Sequence, residues 1–413
     1  MFMKHALLVF FLLTPLFAVW AQSVPPPTLY PNPEAALQVY RSTLLRLRQE
    51  HTNQAELPDL KFFLFGMGNR AKYIYRNGRL INALTGHIEE QWAVKSEIIV
   101  PSEYLVHLTL DTGATIQIRE DETGVWLLQT LPASARNPDR LPKPKRLDHT
   151  KSPLQLPRFA DNTFGLVLRV LHHEVLINVV TGSDGIGRPV PSVLVYQNPR
   201  YRDAALMAMV LRETGNLQLI HNWIMALRNP ADPASDTIAE ADNLGQVLFL
   251  VSLAANRTHP VVQVVLDSVA RFRKDDYILG KTDGADHPVF QTKWLKYGLK
   301  SLGLPDPYTI PKQYDSYSSQ FWFDYTNEHV ARTNVDEQTS LDSPYRVWAD
   351  DHFYHEKRGR LGTIDYPLSW ERNASDAHYP GLTVLDKEFV KRKLAFPYAR
   401  HAAEMFLLLR HNQ

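Results

Sequence analysis

Cysteine is absent from the 413 residues, and its absence excludes several kinds of chemistry. Disulfides, thiolate metal sites and cysteine nucleophiles cannot form, and a lipid-bearing cysteine at a processed N-terminus is also excluded. The stability of the folded chain must therefore come from packing alone.

An excess of one sign of charge is also missing. The chain has 45 Lys and Arg residues against 44 Asp and Glu residues, and the two signs are interspersed. A nucleic-acid-binding protein carries a basic surface that contacts phosphates. The balance of charge therefore argues against a nucleic acid as partner.

Long apolar runs are confined to the N-terminus. Within residues 1–21, Lys4 precedes an apolar stretch from Ala6 to Trp20, and Ala21 follows that stretch. The pattern is typical of a secretory signal peptide cleaved near Ala21, and a retained membrane anchor is the alternative. No later run is long enough to span a bilayer. We therefore expect a secreted or periplasmic protein with no membrane span in its mature part.

The remaining sequence divides into four segments. Residues 22–57 hold a proline-rich spacer and a predicted helix over 34–50. Residues 58–132 alternate short β-branched and aromatic runs with Asn-Gly and Thr-Gly turns, which predicts a small antiparallel β-domain. The clearest hairpin is YRNGRLI at 75–81. Residues 133–158, rich in proline and charge, predict a linker without regular structure, and residues 159–413 predict helices.

Two of the predicted helices are apolar on nearly every face, DAALMAMVL at 203–211 and NLGQVLFLVSLAA at 243–255. A helix of that kind must be enclosed by protein, whereas an amphipathic helix has one exposed face. Buried and amphipathic helices alternate here, which indicates an inner and an outer layer. We therefore expect a mainly-α fold, an α/α toroid over 159–413 preceded by the β-domain.

Polar residues stand at the start of the first apolar helix. Asp203 can cap its free N–H groups, but Arg202 has no such role because a cation opposes the helix dipole there. The forked guanidinium of Arg202 could donate to one hydroxyl of a polyol, while the carboxylate of Asp203 accepts from a neighbouring hydroxyl. A structural ion pair is the alternative.

The second apolar helix also begins with acids. Asp242 or Asn243 can cap it, and capping does not explain Glu240, which lies just outside. Gly245 in its first turn allows close approach of a ligand or of a neighbouring backbone.

A third group lies in TDGADHP at 282–288. Asp286 or His287 precedes Pro288, a residue tolerated in the first turn of a helix. Asp283 lies in a Gly-rich bend, where a turn role is the alternative. The segment lacks the ligand spacing of a calcium loop, and His287 is too isolated for zinc. No metal and no cofactor are therefore expected.

Three later loops place acids among aromatic residues. Aromatic faces pack on sugar rings, while carboxylates bind hydroxyls or transfer protons, and burying such charges without partners is costly. The candidate residues in these loops are Trp322, Asp324, Trp348, Asp350, Asp351, His352, Trp370 and Glu371.

These features resemble glucoamylase-type glycosidases of the six-hairpin clan. YRDAALMAMVL is similar to their Arg-Asp-Ala helix start, in which the Arg and the Asp hold the terminal sugar. EADNLGQVLFL is similar to their Asp-x-x-Gly helix start, and PYARHAAEMFLLL, with His401, resembles their last inner helix. The resemblance covers residues 165–413 and implies an (α/α)6 barrel and a carbohydrate substrate.

The resemblance also implies a mechanism. Such enzymes invert configuration with one protonated carboxyl and one carboxylate that activates water, about 6.5–9.5 Å apart. By position, Asp283 (or Asp286) corresponds to the acid and Glu371 to the base. The Glu-Glu pair usual at the acid position is missing here.

Two other functions remain open at this stage. A polysaccharide lyase on an α-toroid would need a base such as His287 or His352. An exported glycan-binding or envelope protein would keep the fold without catalysis. The sugar, the linkage and the oligomeric state stay open.

Overall fold

The computed structural model describes most of the chain up to residue 311 and a C-terminal helix. The described residues are 27–50, 60, 62–132, 143–148, 153–194, 197–232, 240–311, 315, 317 and 399–411. Within them the α-helices are α1 Pro33–Glu50, α2 Gly165–Ile177, α3 Tyr201–Glu213, α4 His221–Met225, α5 Ala241–Ala254, α6 Pro260–Val269, α7 Pro288–Ser301 and α8 Ala399–His411.

The β-strands form two antiparallel sheets followed by three short hairpins. The first sheet has the order β1-β2-β3-β4 and the second β5-β6-β7-β8-β9, and the pairs β10-β11, β12-β13 and β14-β15 stand apart from them. The strands are β1 Phe63–Phe65, β2 Tyr73–Arg76, β3 Arg79–Asn82, β4 Ile88–Gln91, β5 Val94–Val100, β6 Leu105–Leu110, β7 Thr115–Asp121, β8 Gly124–Thr130, β9 Lys145–Arg146, β10 Val179–Thr181, β11 Gly187–Pro189, β12 Arg273–Lys274, β13 Tyr277–Ile278, β14 Lys281–Thr282 and β15 Ala285–Asp286.

Local sequence signals explain much of this layout. The predicted helix over 34–50 is confirmed as α1, and the hairpin at 75–81 is confirmed as β2-β3. Asn77 and Gly78 both have positive φ in its turn, which a two-residue type I′ loop requires. One strand, β9, lies in the segment predicted to be an irregular linker, where it pairs with β8.

The five longest helices after α1 pack side by side. The order of contacts is α2, α8, α3, α5 and α7, and α6 also packs against α5. Every residue from Ala204 to Leu211 in α3 is buried, as is every residue from Ala241 to Val251 in α5. These apolar helices form one continuous core with the sheets.

Helices α5 and α7 approach each other more closely than side chains on both would permit. A Cβ added to Gly245 would lie 2.1 Å from the backbone of Trp294, and one added to Gly298 would lie 2.4 Å from the carbonyl oxygen of Gly245. Glycine is therefore required at both positions. The close approach expected at Gly245 is confirmed, and its partner is backbone.

The expected mainly-α (α/α)6 toroid is wrong. α-Helices account for 38% of the described residues, and sheets of four and five strands accompany them. Helices α3 and α5 are apolar on every face because other helices enclose them. Helix α3 packs against α2, α5 and α8, and α5 packs against α3, α4, α6 and α7. An all-round apolar pattern thus indicates burial, but it does not specify two concentric rings.

Helix α2 joins the helices to the sheets through polar contacts. The Arg169 guanidinium donates to the carbonyl oxygen of Ser102 at 2.5 Å, and the His173 imidazole lies 3.0 Å from the carbonyl oxygen of Leu64. Among the helices of the described residues, none combines the length and the apolar composition needed to cross a bilayer.

Candidate functional site

Arg202 is the centre of a charged cluster, which we call the Arg202 cluster, made by Arg202, Glu240, Asp242 and Asp283. The Arg202 side chain donates from Nε to Asp242 at 3.1 Å, from Nη1 to Asp283 at 2.6 Å and from Nη2 to Glu240 at 2.9 Å. One guanidinium therefore faces three carboxylates from two separate parts of the chain.

Helix packing brings the first three members together. Arg202 is the second residue of α3 and Asp242 the second residue of α5, while Glu240 occupies the N-cap position of α5. Because α3 and α5 pack against each other, their first turns meet. The Glu240 side chain makes no capping hydrogen bond and is directed to Arg202 instead.

Turn chemistry places the fourth member. Asp283 and Gly284 form the two-residue loop between β14 and β15, with φ of 49° and 81°. Asp-Gly is a favoured pair for the type I′ loop because both positions need positive φ. The Asp283 N–H donates to Glu240 at 3.0 Å, so the hairpin is also held against the start of α5.

Asp242 forms the buried end of the cluster. Its side chain is fully buried and accepts hydrogen bonds from the Thr282 hydroxyl at 2.6 Å and from the Gln246 amide at 2.7 Å, besides that of Arg202. The Gln291 amide in turn donates to Thr282 at 2.9 Å. Both oxygens of this buried carboxyl group therefore accept hydrogen bonds, as is usual for buried polar atoms.

Exposure increases from Asp242 outward. The Glu240 side chain is 24% exposed and that of Asp283 is 45% exposed, whereas Arg202 is 9% exposed. The cluster thus reaches from the core to the surface, and its two outer carboxylates are accessible to a ligand.

The outer carboxyls differ in acidity. Burial, assisted by the charge of Asp242, raises the pKa of Glu240. Partial burial also works to raise the pKa of Asp283, but the charge and hydrogen bond of Arg202 outweigh it and lower that pKa. Glu240 thus keeps its proton to a higher pH than Asp283, which is ionised at neutral pH.

Two further acids surround the start of α3. Burial raises the pKa of Asp232 to about 7, and its Oδ1 accepts the N–H of Tyr201 at 2.8 Å. Burial likewise raises the pKa of Asp203, although the charges of Arg400 and Arg202 oppose this. Asp203 is the third residue of α3 rather than its cap, because the helix begins at Tyr201.

An aromatic pair adjoins the cluster. The rings of His287 and Tyr317 stack with centroids 3.8 Å apart, and the Tyr317 hydroxyl donates to Asp283 at 3.1 Å. The buried carboxylate of Asp315 accepts from His287 Nδ1 at 2.9 Å, from the Phe290 N–H and from the Tyr317 N–H. Asp315 therefore orients both rings and the first turn of α7.

The structure brings together only part of the predicted site. Arg202, Glu240, Asp242 and Asp283 converge, and His287 adjoins them through Tyr317. Asp286 faces elsewhere, since it pairs with Lys281 on an exposed part of the hairpin. His401 belongs to α8. The remaining candidates, Trp322, Asp324, Trp348, Asp350, Asp351, His352, Trp370 and Glu371, lie outside the described residues.

Sequence reasoning missed Asp315, Tyr317 and the hydroxyl and amide ligands of Asp242. The Asp315 carboxylate accepts the N–H of Tyr317, two residues later, in an Asx-turn, a turn that Asp and Asn favour. That signal predicts a turn, but it does not indicate the contact with His287. In the described parts of the chain, no group of three His, Asp or Glu side chains is arranged to hold a metal ion.

Comparisons with protein-family models, with curated proteins and with solved structures find no match to this chain.

Proposed function

We propose that this protein is an exported glycoside hydrolase that binds carbohydrate at the Arg202 cluster. The observation that carries the proposal is the excess of carboxylate in the cluster, three acids facing one guanidinium. A structural ion pair needs one acid, and each further charge drawn out of water costs free energy. Charged groups with shifted pKa values, as Glu240 and Asp283 have here, are typical of functional sites when they gather at an accessible position.

The cluster has accepting capacity for sugar hydroxyls. Within the described residues, Asp283 accepts hydrogen bonds only on Oδ2, from Arg202 and Tyr317, so its Oδ1 is open. A carboxylate oxygen accepts hydrogen bonds, and a hydroxyl donates one.

The chemistry assigns different roles to the two outer carboxyls. Glu240, with its raised pKa, donates a proton to the glycosidic oxygen while the bond from that oxygen to the anomeric carbon breaks. A water oxygen forms the new bond to the anomeric carbon, and the ionised Asp283 takes the proton of that water. Proton donation thus moves from Asp283, which the resemblance implied, to Glu240.

The proposal is tested by assaying the full chain on a panel of oligosaccharides for release of reducing ends. We expect turnover in the parent protein and a loss of about 100-fold or more in Glu240→Gln and in Asp283→Asn, the usual range for a general acid or base. Asp184→Asn is the matched control, because Asp184 is an exposed acid paired with Arg188 on another hairpin. Binding without turnover would instead identify a non-catalytic glycan-binding protein.

One observation favours a second function. A histidine whose Nδ1–H is held by a carboxylate, as Asp315 holds His287, presents Nε2 as a base. A polysaccharide lyase uses such a base, and its products absorb in the ultraviolet. The carboxylates of Asp315 and Asp283 near His287 argue against a lyase, because they would repel the uronic acid carboxylate of a lyase substrate. Ultraviolet-absorbing products from a uronic acid polymer would decide for the lyase.

A further inference from the structure

Asp283 is the most exposed acid of the Arg202 cluster, and its backbone alone does not orient its carboxyl group. The side chain is 45% exposed, whereas that of Glu240 is 24% exposed. The type I′ loop fixes the Asp283 backbone, and the Asp283 N–H donates to Glu240 at 3.0 Å. The last torsion of an aspartate side chain is nevertheless broad and roughly two-fold, so its two oxygens can exchange places. Contacts of the carboxylate itself must therefore decide which oxygen faces outward.

Two donors from different parts of the chain select one oxygen of this carboxylate. Arg202 Nη1, at the start of α3, donates to Asp283 Oδ2 at 2.6 Å. The Tyr317 hydroxyl, beyond the end of α7, donates to the same Oδ2 at 3.1 Å. Among the contacts of the described residues, none reaches Oδ1. The two oxygens of Asp283 thus have different surroundings, with Oδ2 bound by protein groups and Oδ1 accessible to a water molecule.

The Tyr317 side chain is itself held in a fixed position. Its ring stacks on His287 with centroids 3.8 Å apart and meets the ring of Phe290 almost at a right angle, with centroids 5.7 Å apart. Its N–H donates to the buried Asp315 carboxylate at 2.8 Å. A side chain that packing and hydrogen bonds hold in one conformation can fix a neighbouring group within narrow limits. The Tyr317 hydroxyl can therefore hold Asp283 in one orientation.

We propose that Tyr317 is a positioning residue, whose hydroxyl keeps Oδ2 of Asp283 against Arg202 so that Oδ1 is the oxygen that takes a proton from water. In that step the water proton moves to Oδ1, the water oxygen bonds to the anomeric carbon, and Glu240 supplies the proton that leaves with the sugar oxygen. Such fixed geometry contributes strongly to catalysis. The inference rests on the proposed function and adds to it the oxygen that acts and the residue that selects this oxygen.

The test removes the hydroxyl and keeps the ring, in Tyr317→Phe. The charges of Arg202, Arg400 and Glu240, which also act on Asp283, stay in place. Because the hydroxyl stabilises the ionised carboxylate, its loss should raise the pKa of Asp283. The first measurement is a carbon-13 NMR titration of the full chain with labelled aspartate, in which Asp283→Asn identifies the signal. Circular dichroism checks that the fold is retained.

The second measurement is the pH dependence of reducing-end release from an oligosaccharide that the parent protein hydrolyses. In Tyr317→Phe we expect kcat to fall about tenfold at neutral pH, the usual effect of one hydrogen bond to a charged group. KM should change by less than about twofold, because the lost contact acts on the chemical step. The acid limb of the kcat profile should move to higher pH, since Asp283 must be ionised. Tyr308→Phe, which removes a hydroxyl from a ring beside Arg273, is the matched control and should change neither measurement.

Each outcome decides a separate part of the proposal. A higher pKa of Asp283 together with a shifted acid limb supports it. An unchanged titration overturns it, and a loss of turnover with an unchanged titration and pH profile would show that Tyr317 only supports the fold. A higher pKa without a shift of the acid limb overturns Oδ1 as the proton acceptor. Absence of turnover in the parent protein overturns the proposed function, and the NMR titration then still decides whether Tyr317 holds the carboxylate.

Discussion

Removing the central cation should destabilise the protein strongly. In Arg202→Met the apolar part of the side chain is retained, but Asp242 loses its countercharge in a fully buried position. Breaking a buried ion pair by removing one partner costs about 3–5 kcal/mol, because the remaining charge stays buried. Loss of the pairs with the outer carboxylates, Glu240 and Asp283, adds less to this cost, since solvent screens them. We therefore expect a loss of about 3–5 kcal/mol, measured by denaturant unfolding near pH 7.

A surface pair of the same kind provides the control. Arg188 pairs with Asp184 in the β10-β11 hairpin, and both side chains are about a third or more exposed. Arg188→Met should cost less than about 1 kcal/mol, the usual value of an exposed pair. An equal loss in the two variants would refute the argument that burial of Asp242 decides the magnitude.

The pH dependence of Arg202→Met gives a second check with a definite sign. Without the guanidinium, burial and mutual repulsion hold the carboxyl pKa values of the folded cluster above those of the unfolded chain. The folded variant then binds more protons than the unfolded variant, so its stability decreases as the pH rises through these pKa values. The difference from the parent protein should thus be larger at neutral pH than at about pH 4. A constant difference would contradict this account.

Two further predictions concern packing and buried histidine. Gly245→Ala should cost about 3 kcal/mol or more, because its Cβ would meet the Trp294 backbone at 2.1 Å. Gly113→Ala, which has positive φ but open space around it, should cost only about 1–2 kcal/mol, and equal losses would contradict the packing argument. Burial lowers the pKa of His173 to about 3, so the unfolded chain binds the proton first as the pH falls below about 6.5. In the parent protein this proton should lower the free energy of unfolding by about 1.4 kcal/mol for each pH unit between about pH 6 and 4. His173→Phe should remove that part of the pH dependence. Denaturant titrations that give the same pH dependence for both proteins would refute the prediction.

Local chemistry made part of this fold predictable. The continuous apolar runs of α3 and α5 predict buried helices, and Asn77-Gly78 predicts a two-residue turn, as the structure shows. The arrangement of the helices was not predictable in the same way. The close contact of α5 with α7 depends on Gly245 and Gly298, which lie far apart in sequence and complement each other only after packing.

The candidate site shows the same division between local and distant information. The sequence offered two interpretations of Asp283, a turn residue and a catalytic acid. The structure shows the turn and a contact with Arg202, and the catalytic role stays a proposal. The type I′ loop fixes the Asp283 backbone, and that backbone places the carboxylate 2.6 Å from Arg202. Two adjacent residues, Asp283 and Gly284, determine the turn, whereas the distance from Asp283 to Arg202 depends on how α3, α5 and the hairpin pack. A residue that satisfies a local turn rule can thus also join a charged cluster, and only the tertiary contacts show that it does.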